Sequence, residues 1–214
     1  MKDMKIRVTF IEELLGTAPN SKEIYKDFIA SKSEDAATIE DEIAAVGIDE
    51  TLEKGTTVFP RTEDGKPFLY DYQWKGYFKE TASFMRKIPG TATSKVKAFK
   101  KQIDGLIFIN ERQCVIEPSG EITLCQRPLR AQTPQGERVS LACSETIPAM
   151  SNSTFTIHLM VDSDEKLIEE WLDYGYYHGT GQWRNSGKGK FVWELLDEEN
   201  DDAVIGGNYS KHIK

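Results

Sequence analysis

Residues 179–189 have the composition of a loop that can hold phosphate oxygens. The segment reads Gly-Thr-Gly-Gln-Trp-Arg-Asn-Ser-Gly-Lys-Gly, with two pairs of glycines that are each separated by one residue. Glycine adopts positive φ and lets another backbone approach closely. The amides of such a loop, helped by Arg and Lys, can bind phosphate. The alternative is a simple glycine turn, because glycine-rich motifs have many false positives. We call residues 179–189 the G-rich loop.

Basic residues are concentrated in one part of an otherwise acidic chain. The 214 residues carry a formal net charge of −8, but residues 71–101 contain eight Lys and Arg and only two acidic residues. Lys75, Lys79, Ser83 and Arg86 recur at helical spacing opposite an apolar stripe, which predicts one basic helix face. A local basic face can recruit phosphate, although the same spacing also fits an ordinary solvated face.

The net charge argues against generic nucleic-acid binding, but if RNA binds, these features indicate which residues would contact it. Aromatic side chains beside the basic residues can stack on bases, and the candidates are Tyr72, Tyr176, Tyr177 and Trp183. Trp183 fits core packing equally well. The predicted RNA-binding residues are Lys75, Lys79, Arg86, Gly179, Gly181, Trp183, Arg184, Gly187, Lys188 and Gly189, with Arg127, Arg130 and Arg138 as second choices.

Catalysis is not favoured, although one residue is placed for it. RNA cleavage without a metal needs a base, an acid and a stabilising cation. His178 directly precedes the G-rich loop and is the candidate if the protein is a nuclease. His158 falls within a predicted strand, and Asp64 and Asp71 fit a turn and a helix start better than a catalytic role. No catalytic residue is therefore favoured.

Other chemistry finds no support in the residue pattern. The three His are far apart and the three Cys form no C-x-x-C pair, so neither a metal site nor a cofactor is predicted. The G-rich loop follows a predicted helix and precedes a predicted strand, which is the reverse of the order in dinucleotide-binding folds. Reduced thiols and the lack of a long apolar run predict a cytoplasmic protein without membrane contact.

Alternating and helical patterns indicate the elements that position these residues. Strands are predicted over 5–15, 154–161 and 190–195, and helices from Asp71 to about Lys87 and after residue 162, which together predict an α+β protein. Residues 34–53 contain eight acidic residues and no basic one. This segment fits a solvated insertion, or a surface that mimics nucleic acid or docks a basic partner.

The order of these segments resembles that of the RAMP superfamily. The resemblance is carried by the helix start Trp74-Lys75-Gly76-Tyr77-Phe78-Lys79, which is similar to a short K-G-x-h-(K/R) pattern, and by the G-rich loop with its following strand. It is also carried by residues 138–149 and the strand that follows, although the glycine of the family's P-A-G lead is absent. The resemblance covers about residues 5–12 and 68–195.

The resemblance implies a ferredoxin-like (RRM-type) antiparallel sheet with helices on one face, plus insertions. It implies a single domain over 1–195. The acidic composition, which is not a feature of the family, predicts an insertion at about 16–55 and a flexible acidic tail over 196–214. The implied function is RNA binding: the G-rich loop and the basic helix face grip guide-type RNA within a CRISPR-related ribonucleoprotein, and the residues lean against an enzyme without deciding the question. The implied partners are other effector subunits or further copies of the chain along the RNA, and the chain fits a stand-alone or phage-borne relative.

Two alternatives follow from the same resemblance. One is a metal-independent endoribonuclease that processes guide RNA, with His178 as the acid or base. The other is a non-enzymatic phage inhibitor that mimics a CRISPR backbone subunit and uses its acidic surfaces to occupy a partner.

Overall fold

The fold is α+β and is built from antiparallel sheets with helices. In a computed structural model, the described residues are 1–20, 56–133, 136–197, 200 and 203–213. The acidic segment 34–53, and most of the expected insertion at 16–55, lies outside them. The strands are β1 (Lys2–Phe10), β2 (Leu14–Leu15), β3 (Ala18–Pro19), β4 (Thr56–Val58), β5 (Phe68–Tyr70), β6 (Ile107–Ile109), β7 (Gln113–Glu117), β8 (Thr123–Thr133), β9 (Gly136–Ile147), β10 (Asn152–Leu159), β11 (Phe191–Leu196) and β12 (Val204–Gly207). The helices are α1 (Asp71–Met85), α2 (Phe99–Leu106), α3 (Glu165–Asp173), α4 (Gly175–His178) and α5 (Tyr209–His212).

Two sheets organise the described residues. The main sheet has seven strands in the order β12–β11–β1–β10–β7–β5, with β6 also paired to β10, and every pairing in it is antiparallel. The second sheet has five strands in the order β2–β9–β4–β3, and β8 pairs with β9 in a long antiparallel hairpin. β1 lies at the centre of the main sheet because it pairs with both β10 and β11.

One face of the main sheet carries the core and the helices. Alternate residues of β1, from Met4 to Phe10, are fully buried, as the period of two predicts. The Trp74 ring of α1 lies 4.7 Å from Phe155 and 5.6 Å from Phe191, measured between centroids. The Tyr77 hydroxyl donates a 2.7 Å hydrogen bond to the Trp171 carbonyl, so α1 is tied to α3 as well as to the sheet.

The strand predicted over 5–15 is divided in two. β1 ends at Phe10, and Leu14 and Leu15 instead pair with Ile147 and Thr146 in the second sheet. The division arises because the intervening backbone bonds to the far side of the G-rich loop. The Ile11 amide donates to the Lys190 carbonyl at 2.9 Å. This crossover between the sheets is what holds the loop in place.

Part of the segment expected to be a flexible tail is folded. β12 pairs antiparallel with β11, and the Asn208 side-chain oxygen accepts a 2.9 Å hydrogen bond from the Trp193 amide. Asn208 is buried. None of the helices among the described residues is long and apolar enough to cross a membrane.

Candidate nucleic-acid interface

The glycines of the G-rich loop are required by the way the loop closes. Gly179, Gly181, Gly187 and Gly189 all have positive φ, between +70° and +87°. The Thr180 amide donates a 2.9 Å hydrogen bond to the Gly189 carbonyl, and the Gly189 amide donates a 2.8 Å hydrogen bond to the backbone carbonyl of Glu13. A Cβ on Gly189 would lie 1.9 Å from the Thr180 oxygen. The loop is therefore a narrow-necked loop docked on the β1–β2 connection.

The tip of the loop presents an aromatic ring and backbone amides. Trp183 adopts a left-handed conformation at φ 58° and its side chain is 38% exposed. A tryptophan in this conformation is a steric outlier and needs support from its surroundings. Within the described residues, the amides of Gly181 and Gln182 donate no hydrogen bond. They are thus available to a ligand.

The guanidinium of Arg127 packs against the Trp183 ring. Its guanidinium carbon lies 4.9 Å from the ring centroid, which is cation–π distance. Its Nη2 donates to the Gln182 side-chain oxygen at 2.9 Å and its Nη1 donates to the Ser144 hydroxyl at 3.2 Å. Arg127 is only 5% exposed. It therefore acts as a support for the loop tip, which differs from the phosphate contact that its charge suggested.

Helix α1 and the G-rich loop line one groove. The groove has a volume of about 710 Å³ and opens between the first half of α1 and residues 180–184. Its lining includes Lys75, Lys79 and Glu80 from the helix and Gly181 and Arg184 from the loop. Two of the predicted lysines and two of the predicted loop residues are therefore brought together.

Internal carboxylates neutralise most of the predicted phosphate ligands in and beside the groove. Lys79 Nζ lies 2.5 Å from Asp104, and Lys188 Nζ lies 2.5 Å from Glu13. Arg184 forms an ion pair with Glu80 across 104 residues of sequence. Each cation already has an acidic partner, so its attraction for phosphate is reduced.

Lys75 is the groove cation without such a partner among the described residues. Its Nζ lies 4.6 Å from the centre of the Phe108 ring. Burial lowers the pKa of Lys75, although Asp71 and Asp104 act in the opposite direction. A partly desolvated ammonium over an aromatic ring gains more from an incoming anion than a fully hydrated one does.

His178 does not line the groove but contacts two residues that do, Glu80 and Arg184. Its Nε2 is 3.1 Å from Arg184 Nη1 and 3.4 Å from Glu80 Oε1. Its ring stacks on Tyr174 at 5.4 Å and contacts Phe84 edge-on. These contacts make His178 a partner of the Glu80–Arg184 ion pair. The other candidate histidine, His158, is 2.5 Å from Asp3 on the opposite face of the main sheet.

The remaining predicted residues lie away from the groove. Arg86, near the end of α1, has its guanidinium carbon 5.8 Å from the Phe99 ring and lines a separate recess. Arg130 and Arg138 lie in the β8–β9 hairpin, where their backbone partners are Val139 and Ala131. The basic stripe of α1 is thus shared between two surfaces.

The predicted stacking aromatics are also separated. Tyr72 lines the groove and stacks on Tyr70 with ring centroids 5.1 Å apart. Tyr176 stacks on His212 at 3.7 Å, and Tyr177 is 68% exposed. Only Tyr72 and Trp183 are positioned at the groove or the loop tip.

Acidic and amide residues of this site could not be identified from the sequence. Glu13, Glu80 and Asp104 set the electrostatics of the groove, and Gln182 orients Arg127. Their partners are distant in the sequence, so no local spacing indicates them. Among the described residues, no cluster of His, Cys, Asp and Glu is suited to hold a metal ion.

The fold is similar to that of one chain in a solved type III-B Cmr-beta structure. A chain of the type III-B Cmr-beta complex bound to cognate target RNA, solved by cryo-EM, aligns with a TM-score of 0.52 and 12% identity. The alignment covers 92% of this chain but 60% of that one, so the present chain spans less than two thirds of its length. A chain of a type IV-B CRISPR complex aligns with a TM-score of 0.45 and 10% identity, over 96% and 95% of the two chains. Neither a family model nor a curated protein matches. The type III-B similarity shows a shared fold.

Proposed function

We propose that this chain is an RNA-binding subunit of RAMP type in a CRISPR-related ribonucleoprotein. One observation carries the proposal: α1 and the G-rich loop, which are far apart in the sequence, line a single groove with Lys75 and the unbonded amide of Gly181 in its wall. Stacking aromatics, amides and a few cations are the usual means of holding a single strand.

The topology supports the family and the partner. The chain order β1, α1, β6–β7, β10, α3, β11 and the spatial order β11–β1–β10–β7 are those of a β-α-β-β-α-β unit, the arrangement of ferredoxin-like domains. The type III-B neighbour was solved bound to cognate target RNA within a multisubunit complex. We infer that the RAMP-like domain spans residues 1–195 and that its partners are RNA and other effector subunits.

Trp183 provides the strongest single contact of this interface. Base stacking on an exposed aromatic ring contributes about 1–3 kcal/mol per base. The ring is half-exposed, and Arg127 beneath it fixes its plane. Because Lys79, Arg184 and Lys188 are already paired, the groove depends on stacking and on amide contacts more than on its net charge.

The test compares two substitutions of Trp183. Trp183→Ala removes the ring and is expected to weaken the binding of a labelled single-stranded RNA by about 5- to 150-fold, the equivalent of one stacked base. Trp183→Phe keeps a ring and should retain most of the affinity. Ile205→Ala, which removes an exposed apolar side chain from the edge strand β12, serves as the control. Equal affinities for Trp183→Ala and Ile205→Ala, measured by fluorescence anisotropy, would refute the proposal.

RNA cleavage at His178 is the second candidate function. It is favoured by the position of the imidazole, which lies 3.4 Å from the carboxylate of Glu80 and 3.1 Å from the guanidinium of Arg184, two residues that line the groove. An acid–base group beside a cation is what metal-free cleavage of RNA requires. Incubation of the pure protein with labelled RNA tests it. Products that disappear in His178→Ala support a nuclease, and their absence with the unmodified protein excludes it for the RNAs used.

A further inference from the structure

A second basic surface lies at the amino end of α2. Residues 86–101 contain six basic residues and no acidic one. All six are exposed, and none has a carboxylate of the described residues within 4.0 Å. This contrasts with the groove, where Lys79 and Arg184 are paired. Four of the six line a single recess, and we call these four the α2 basic patch: Arg86, Lys97, Lys100 and Lys101.

The four cations of the α2 basic patch surround one recess. Arg86, Lys97, Lys100 and Lys101 line an open recess of about 500 Å³, and no acidic residue in the described part of the chain lines it. Its floor is Phe99, which is 6% exposed and is covered by the Arg86 guanidinium. α2 begins at this point without a side-chain cap. The free amides and the helix dipole therefore add partial positive charge to that of the side chains.

The backbone that carries the patch is anchored to α3. The Glu170 carboxylate accepts hydrogen bonds from the amides of Ala92 and Thr93, at 2.6 and 3.0 Å, and from the Thr93 hydroxyl at 2.7 Å. The Trp171 indole also donates to the Thr93 hydroxyl at 3.0 Å. The segment that leads into Lys95 and Lys97 is therefore held in a fixed position, which is required if the cations are to form a site.

We propose that the α2 basic patch is a second RNA-binding site, which takes the phosphate backbone of a single strand. Flexible ammonium groups contact phosphates as point charges and do not read sequence. Phe99, the largest apolar side chain of the recess, is only 6% exposed, whereas four of the seven lining residues are cations. A dense chain of phosphates therefore fits the patch better than an acidic protein segment does. The proposal extends the RNA-binding function but rests on different residues.

The salt dependence of binding separates the two sites. Each phosphate contact to a single strand adds about 0.7 to the slope of log affinity against log salt. The variant Lys97→Gln/Lys100→Gln/Lys101→Gln should lower that slope by about 2, and should weaken binding about tenfold or more near 100 mM salt. Lys2→Gln/Lys66→Gln/Lys211→Gln changes the net charge equally at distant positions and should leave the slope nearly unchanged. Trp183→Ala, which removes a contact that is not ionic, should lower affinity without lowering the slope.

The outcomes are distinguishable from those of the groove. If the patch variant lowers the slope while Trp183→Ala has no effect, the patch is supported and stacking at the tip of the G-rich loop is refuted. If the patch variant behaves as the distant control does, the patch is refuted whatever Trp183→Ala does. A poly-glutamate peptide is the comparison probe. Loss of peptide binding in the patch variant, with its RNA slope unchanged, would assign the patch to a protein partner and overturn the proposal.

Discussion

Two alanine substitutions in the G-rich loop test whether its glycines serve closure of the loop. Gly187 and Gly189 both adopt positive φ, +87° and +70°, so alanine introduces backbone strain at either position. Only the space around them differs. A Cβ on Gly187 would meet nothing nearer than 4.0 Å, whereas one on Gly189 would lie 1.9 Å from the Thr180 oxygen. Comparison of the two variants therefore separates the effect of backbone strain from that of the steric clash between the new Cβ and Thr180.

The expected stability losses follow from these distances. For Gly187→Ala the strain of the left-handed conformation costs about 1–2 kcal/mol. For Gly189→Ala the neck must also open by roughly 1.5 Å before the Cβ reaches normal contact. Opening breaks the bonds from Thr180 to Gly189 and from Gly189 to Glu13, at about 1 kcal/mol each. The total is about 3–4 kcal/mol, or a fall in Tm of about 6–16 °C, against about 2–8 °C for Gly187→Ala.

Thermal unfolding and amide hydrogen exchange measure the difference. In Gly189→Ala we expect faster exchange of the Thr180 amide, which bonds to the Gly189 carbonyl in the native loop. In Gly187→Ala that amide should stay as protected as in the unmodified protein. RNA affinity should fall in Gly189→Ala alone, because the open neck no longer holds Trp183 over Arg127. Equal Tm values and equal exchange rates in the two variants would refute this account of the loop.

Two further predictions concern groups outside the loop. Burial alone would raise the pKa of Glu170, but hydrogen bonds from Thr93 and Ala92 lower it, so Glu170→Gln should cost about 1–2 kcal/mol at neutral pH. The destabilisation should shrink as the pH falls below 4.5, the ordinary pKa of a glutamate, because a carboxyl with a lowered pKa stabilises the fold only while it is ionised. Denaturation curves from neutral to acidic pH measure this loss, and a destabilisation that stays constant would contradict the prediction. Burial also raises the pKa of the Cys114 thiol. Cys114 should therefore resist iodoacetamide in the native protein and react with it after unfolding. Equal labelling of Cys114 in both states, measured by mass spectrometry, would refute this prediction.

The main elements of the fold could be predicted because their residue patterns are local. The helix predicted from Asp71 to about Lys87 is α1, which ends at Met85, and the strand predicted over 154–161 is β10, over Asn152–Leu159. The partner of Leu14 and Leu15 could not be predicted. The apolar alternation of β1 stops at Glu12, but the sequence does not indicate that Leu14 and Leu15 pair with β9 or that Ile11 bonds to Lys190.

The pairing of charges could not be predicted either, because the partners are distant in the sequence. Lys188 and Glu13 are 175 residues apart, and Arg184 and Glu80 are 104 apart. A sequence pattern indicates which side chains are charged and which face of a helix they share. The pattern does not indicate which of these charges form ion pairs in the folded chain. Ion pairing decides how strongly each cation attracts a phosphate ligand.

The basic stripe of α1 shows why this distinction matters for function. α2 packs beside α1 and supplies Asp104 to Lys79, while Phe108 of β6 lies against Lys75. The stripe is thereby divided. Its first half becomes a groove wall with little net charge, and Arg86 joins the unpaired lysines of α2. If both surfaces bind RNA, they do so by different interactions. The affinity that comes from stacking at Trp183 should depend weakly on salt concentration, and the affinity that comes from the α2 basic patch should depend on it strongly. An RNA strand that crosses both surfaces would be positioned by stacking at Trp183 and attracted by the cations of the α2 basic patch. An acidic protein therefore needs only a local concentration of unpaired cations to hold RNA.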